Sequence, residues 1–162
     1  PDTPIALAPN TMPEPDLNGA QRHEVTFNGG MMGQMMMQGR GMAGMNMRDM
    51  MHSGKIWFIN GVAMLGHVMD PMLTLTQGHS YVLAMVNETA WWHPMHLHGH
   101  AFRVISRNGA PIRYREWQDT VLMAPRETVE IAFVADNPGD WMFHCHILEH
   151  QESGMMGVIR VT

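Results

Sequence analysis

The sequence predicts an all-β sandwich, on three observations. Apolar or alternating runs of four to seven residues recur from residue 55 to the end, and the turn signals NG, DP, QG, AP and NPG stand between them. The 162 residues, 45% hydrophobic, suffice for one closed core. Strands this short bury their apolar faces by stacking two sheets.

Taken in order, residues 1–20, PDTPIALAPNTMPEPDLNGA, are proline-rich and lack an apolar period, so they predict an interdomain linker ahead of a domain over 21–162. Residues 25–28 form a weak strand. Residues 29–54 carry ten of the twenty methionines, broken by glycines, and predict a flexible Met-rich insertion in a hairpin at one sheet edge. Beyond it, strands are expected at 55–59, 72–76, 80–86, 101–106, 119–122, 128–134, 141–144 and 157–161.

Charge and cysteine usage narrow the function class. A formal charge of -5 with ten scattered Lys and Arg leaves no basic footprint for nucleic acid. Cys145 is the only cysteine, so no intramolecular disulfide forms, and its histidine neighbours mark it as a ligand or nucleophile. The chain opens without a basic and apolar leader pattern and holds no run near ~18 apolar residues, so no membrane span is expected.

Eleven histidines is an excess, and seven stand in two clusters, His93-Pro-Met-His96-Leu-His98-Gly-His100 and His144-Cys145-His146-Ile-Leu-Glu-His150. His23, His52, His67 and His79 read as ordinary surface or core residues. In a strand, alternate side chains face opposite ways, so His144 and His146 share one face and Cys145 takes the other. His96 and His98 share a face in the same manner. One segment then serves two metal sites, joined by a covalent route through its backbone. A blue-copper site uses two imidazoles, a thiolate and a weak axial thioether. His93, Cys145 and His150 supply the first three, and Met155 is placed for the fourth, with Met156 its rival.

These motifs resemble the C-terminal domain of multicopper oxidases, the family of laccases, ascorbate oxidase and bacterial copper-resistance oxidases. Its signatures HPxHLHGH and HCHxxxHxxxxM stand here as residues 93–100 and 144–155, with WxDTV at 117–121. The resemblance implies a cupredoxin-like Greek-key β-sandwich and copper as cofactor. It assigns His93, Cys145, His150 and Met155 to the type 1 copper, His96 to the type 2 copper, and His98, His144 and His146 to the type 3 pair. Electrons from Cu(I) or a phenolic reductant would pass through Cys145, His144 and His146 to dioxygen, which is reduced to water.

The family's other four trinuclear ligands lie in HxHG and HxH motifs of an N-terminal domain, and this sequence has neither outside the cluster already used. The chain is therefore expected to be an incomplete, inactive part of the oxidase until those domains join it, in the same or another chain. The resemblance also implies a periplasmic or secreted location. Gln151 stands where many bacterial members have an acid, and Thr89-Ala90-Trp91-Trp92 replaces the Asp and Met found in some cuprous oxidases. Two rival readings exist. A stand-alone electron-transfer cupredoxin would leave His96, His98, His144 and His146 without a purpose, and a copper-binding protein built on the Met tract would not need the Cys-His geometry.

Overall fold

The computed structural model describes residues 5–30, 57–64 and 70–162. Residues 5–20 carry no strand or helix, yet they are tied to the body of the molecule: the Asp16 amide donates to Ser80 Oγ at 2.9 Å, and Glu14 pairs with Arg103. The Met-rich tract falls almost wholly outside the described residues.

Two sheets stack face to face. The first contains β1 (Gln21–Gly29), β2 (Trp57–Ile59), β4 (Ser80–Asn87), β6 (Phe102–Arg107), β7 (Ala110–Pro111) and β10 (Thr128–Val134), in the order β2-β1-β4-β10-β6-β7, with β8 (Trp117–Gln118) also paired to β6. The second contains β3 (Leu73–Leu75), β5 (His93–Leu97), β9 (Thr120–Met123), β11 (Gly139–Cys145) and β12 (Met156–Val161), in the order β3-β12-β11-β5-β9. Among the described residues one short helix, α1 (Leu148–Glu152), sits between β11 and β12. This is the cupredoxin-like sandwich that the motifs imply.

The strands that flank the Met tract pair with each other: Phe27 faces Ile59 and Gly29 faces Trp57, with β2 at the sheet edge. β1 extends four residues earlier than its apolar pattern, because Gln21 to Glu24 find parallel partners in Tyr81 to Ala84 although their side chains are mostly solvated. Backbone pairing, not burial, holds that half of the strand.

Alternation places the core. Phe27, Leu83, Ile131 and Phe102 point inward from one sheet, and Met95, Leu97, Phe143 and Ile159 from the other; all are fully or almost fully buried. The Phe27 and Phe143 rings meet across the layers at 6.1 Å. Each such side chain contributes about 1.5–3 kcal/mol by leaving water. His93 and Cys145 share this inward alternation, so the sandwich itself carries two prospective ligands into its interior.

Candidate metal centre

β5 and β11 are neighbours, with Phe143 opposite Leu97, His144 opposite His96 and Cys145 opposite Met95. That register sorts the motif residues into two groups on opposite faces of one sheet.

The inward group is His93, Cys145 and His150, all buried. Cys145 Sγ lies 3.7 Å from His93 Nδ1 and 3.6 Å from His150 Nδ1, and the two Nδ1 atoms are 3.1 Å apart. His150 comes from α1, a turn of helix that folds the chain back towards Cys145. Met155 is fully buried, and its backbone ties the group together: its amide donates to His150 O at 2.9 Å, and its carbonyl accepts from the Cys145 amide at 3.1 Å.

The hydrogen bonds fix which nitrogen of His93 is bare. Asn87 Nδ2 is 2.8 Å from the carbonyls of Trp91 and Ala124, which only accept, so Asn87 Oδ1 must face Thr89. Thr89 Oγ1 donates its single proton to that oxygen at 2.7 Å and therefore accepts from His93 Nε2, also at 2.7 Å. His93 then holds its proton on Nε2 and turns an unprotonated Nδ1 towards Cys145. Burial, aided by the nearby His150, lowers the His93 pKa to about 3, so the ring is neutral and able to ligate. Burial raises the Cys145 thiol to about 11, so a metal that takes the thiolate displaces a proton.

The outward group is His96, His98 and His144, whose ring nitrogens lie within 4.8 Å of one another. His96 Nδ1 donates to Asp119 O at 2.9 Å, which leaves Nε2 bare. His144 Nδ1 donates to Cys145 O at 2.9 Å, and its Nε2 meets His98 Nε2 at 3.0 Å. Orientation of an imidazole through its second nitrogen is the usual support of a metal-binding histidine. Burial lowers the pKa of His98 and His144 further, with neighbouring imidazoles adding to it. His146 is exposed on the same face, its ring 5.8 Å from those of His96 and His144, outside the close group of three.

Gly99 shows why the first motif contains a glycine. Its φ is +72°, and a Cβ there would stand 2.3 Å from the Trp141 ring, so both the turn and the packing exclude a side chain.

Four supporting residues escaped the sequence reading in these roles: Asn87, Thr89, Asp119 and Trp57. Asp119 had a signal, since it lies within the WxDTV segment. Trp57 had none; its indole lies 4.1 Å from the His150 ring and 5.2 Å from His93, a contact created only when β2 joins the sheet edge.

Two imidazoles and one thiolate suit a soft or borderline metal, with copper foremost, and the three-imidazole group suits a second copper site. The family model for multicopper oxidases matches residues 40–162. This chain belongs to the multicopper oxidase family. It is 39% identical over 99 residues to the multicopper oxidase MmcO of Mycobacterium tuberculosis, covering 61% of this chain and 18% of that protein. The crystal structure of a multi-copper oxidase from Pseudomonas thermotolerans superposes with a TM-score of 0.77 at 31% identity, over 100% of this chain and 34% of that one. A Campylobacter jejuni multicopper oxidase, described as a metallo-oxidase, gives 0.70 at 27% identity over 97% of this chain and 32% of its own. The multicopper oxidase chain described here thus spans under a fifth of that curated relative and about a third of those structures. Copper is the cofactor the family implies, and both histidine groups are chemically suited to it. Among the described residues, no helix is long and apolar enough to cross a membrane.

Proposed function

We propose that this domain supplies the type 1 copper site and half of the trinuclear site of a multicopper oxidase that takes electrons from Cu(I), with phenols as the competing reductant, and reduces dioxygen to water. One observation supports the reading above all: Cys145 and His144 are adjacent in β11 yet belong to two separate donor groups on opposite faces of the sheet. An electron-transfer cupredoxin needs only the inward group. Copper held in both groups would supply one-electron chemistry coupled to dioxygen.

In this reading His93, Cys145 and His150 hold the type 1 copper with Met155 axial, His96 serves the type 2 copper, and His98, His144 and His146 the type 3 pair. The backbone from Cys145 to His144 and His146 is the covalent link between them. His96, His98, His144 and His146 are four ligands of a set that N-terminal domains complete, so residues 1–20 act as the linker to them and 21–162 as the domain. The chain by itself is inactive towards dioxygen, and the assembled enzyme is periplasmic or secreted.

The Met tract supports cuprous ions as reductant, because thioethers select Cu(I) and offer little to a phenol. Deleting residues 31–51 from the complete oxidase should lower cuprous-oxidase turnover and leave phenol oxidation equal or higher. Unchanged Cu(I) kinetics with a collapse of phenol turnover would replace this reading with a laccase-like one.

A further inference from the structure

The ring of His96 is held from behind by β9 and the residue before it. His96 Nδ1 donates to Asp119 O at 2.9 Å and lies equally close to Thr120 Oγ1, whose own proton goes to Asp119 Oδ1 at 2.8 Å. Both partners of Nδ1 therefore accept, which fixes the proton there and leaves Nε2 for a metal. The Asp119 carbonyl also accepts the Leu97 amide at 3.1 Å, so one carbonyl sets both the ring and the strand that carries it.

Asp119 directly follows β8, and Arg103 clamps β8. Arg103 stands opposite Trp117 in the ladder, and Phe102 opposite Gln118. The Arg103 guanidinium lies over the Trp117 ring at 4.1 Å and donates to the Arg115 carbonyl. It also forks onto Glu14, Nε reaching Oε2 at 3.2 Å while Nη2 donates to Oε1. An exposed ion pair contributes little singly. This one is bidentate, and its cation is stacked on an indole, so the planar fork is already oriented for both contacts.

The residues before Glu14 reach the next outward ligand. Thr11, Met12 and Pro13 wall a cavity of about 300 Å³ together with Trp117 and with Gly99 and His100, which follow His98. Beyond the ion pair, the Asp16 amide is tied to Ser80 Oγ at 2.9 Å.

We propose that Glu14 and Arg103 are positioning residues for His96. Residues 11–16 form a strap that acts through Arg103 and Trp117 to hold the Asp119 carbonyl where it orients the ring. The segment ahead of β1 is then a support of the outward donor group as well as a connector. Its consequence for a type 2 copper rests on the oxidase reading; the orientation of His96 does not.

Imidazole ¹⁵N shifts of the full, metal-free chain show which nitrogen of each histidine carries the proton, with His93 on the opposite face as internal control. Arg103→Gln should lower the fraction of His96 protonated on Nδ1. Glu14→Gln, which keeps the arginine over Trp117, should lower it less, and Arg103→Lys, which keeps a cation, should recover part of the loss. Zinc, a diamagnetic probe, should bind the outward group several-fold more weakly in both Gln variants, with its affinity at His93 unchanged. A folded Arg103→Gln chain with His96 unmoved would overturn the proposal. So would equal losses at His96 and His93, since the pair would then only hold the fold together. If Arg103→Gln fails to fold, Glu14→Gln, a change at an exposed side chain, decides by the same two readouts. Failure of the oxidase reading would show instead as absent dioxygen turnover by the complete protein with the His96 response intact.

Discussion

The Trp57 indole lies over the imidazole of His150, 4.1 Å between ring centres, and meets Trp91 edge-on at 5.3 Å. Trp57 is 3% exposed, so it closes the buried donor group from the side of the sheet edge. Trp57→Ala should cost about 3–5 kcal/mol of stability and speed copper loss to a chelator. Trp57→Phe should restore most of both. Thermal unfolding and the rate of copper extraction measure the pair, and equal extraction rates in all three proteins would show that the ring has no shielding role.

Thr89 sets the tautomer of His93 through a hydroxyl whose own proton is committed to Asn87. Thr89→Val keeps the shape and removes the acceptor, leaving the His93 Nε2 proton buried and unpaired. Copper affinity at the inward group should fall about 10–100-fold, and Thr89→Ser should recover it. Competition against a chelator of known affinity reads the difference.

Glu130 accepts from Arg22 Nη2 at 2.8 Å and from Ser106 Oγ at 2.6 Å, joining β1, β10 and β6 across the first sheet. The Ser106 hydrogen bond first, then Arg22, lowers its pKa from the ordinary 4.5. A carboxylate whose pKa is depressed by folding contributes stability above its unfolded pKa and loses it as pH falls through the folded value. Glu130→Gln should therefore be less stable than the parent at pH 7 by about 1 kcal/mol at most, given its partly solvated Arg22 partner. That gap should close below pH 4.5. Urea midpoints at neutral and acid pH check it, and a gap that widened in acid would contradict the sign.

Much of this was legible in the sequence because alternation along a strand carries both packing and chemistry. His144, Cys145 and His146 announce two faces by spacing alone, β4 announces itself by an unbroken apolar run, and β10 and β12 by runs broken only at Glu130 and Arg160. β5 was hidden, since Pro94 and two histidines mask a strand whose inward residues are His93, Met95 and Leu97. The helix α1 was hidden too, as five residues are too few to show a helical period. Partners fixed by tertiary contact, such as Trp57 over His150, have no local pattern at all. The spacing of His146 matches that of His144, and its ring lies 5.8 Å from those of His96 and His144, yet His146 is exposed where His144 is buried, a difference that only the coordinates reveal.

The most direct test of the account is the visible and electron paramagnetic resonance spectrum of this chain loaded with one equivalent of Cu(II). Thiolate ligation by Cys145 with His93 and His150 predicts an intense blue charge-transfer band, and Cys145→Ser should bind copper without it. A wild-type chain that is folded, oxidised and copper-loaded yet colourless would contradict the assignment of Cys145, and with it the link between the two donor groups.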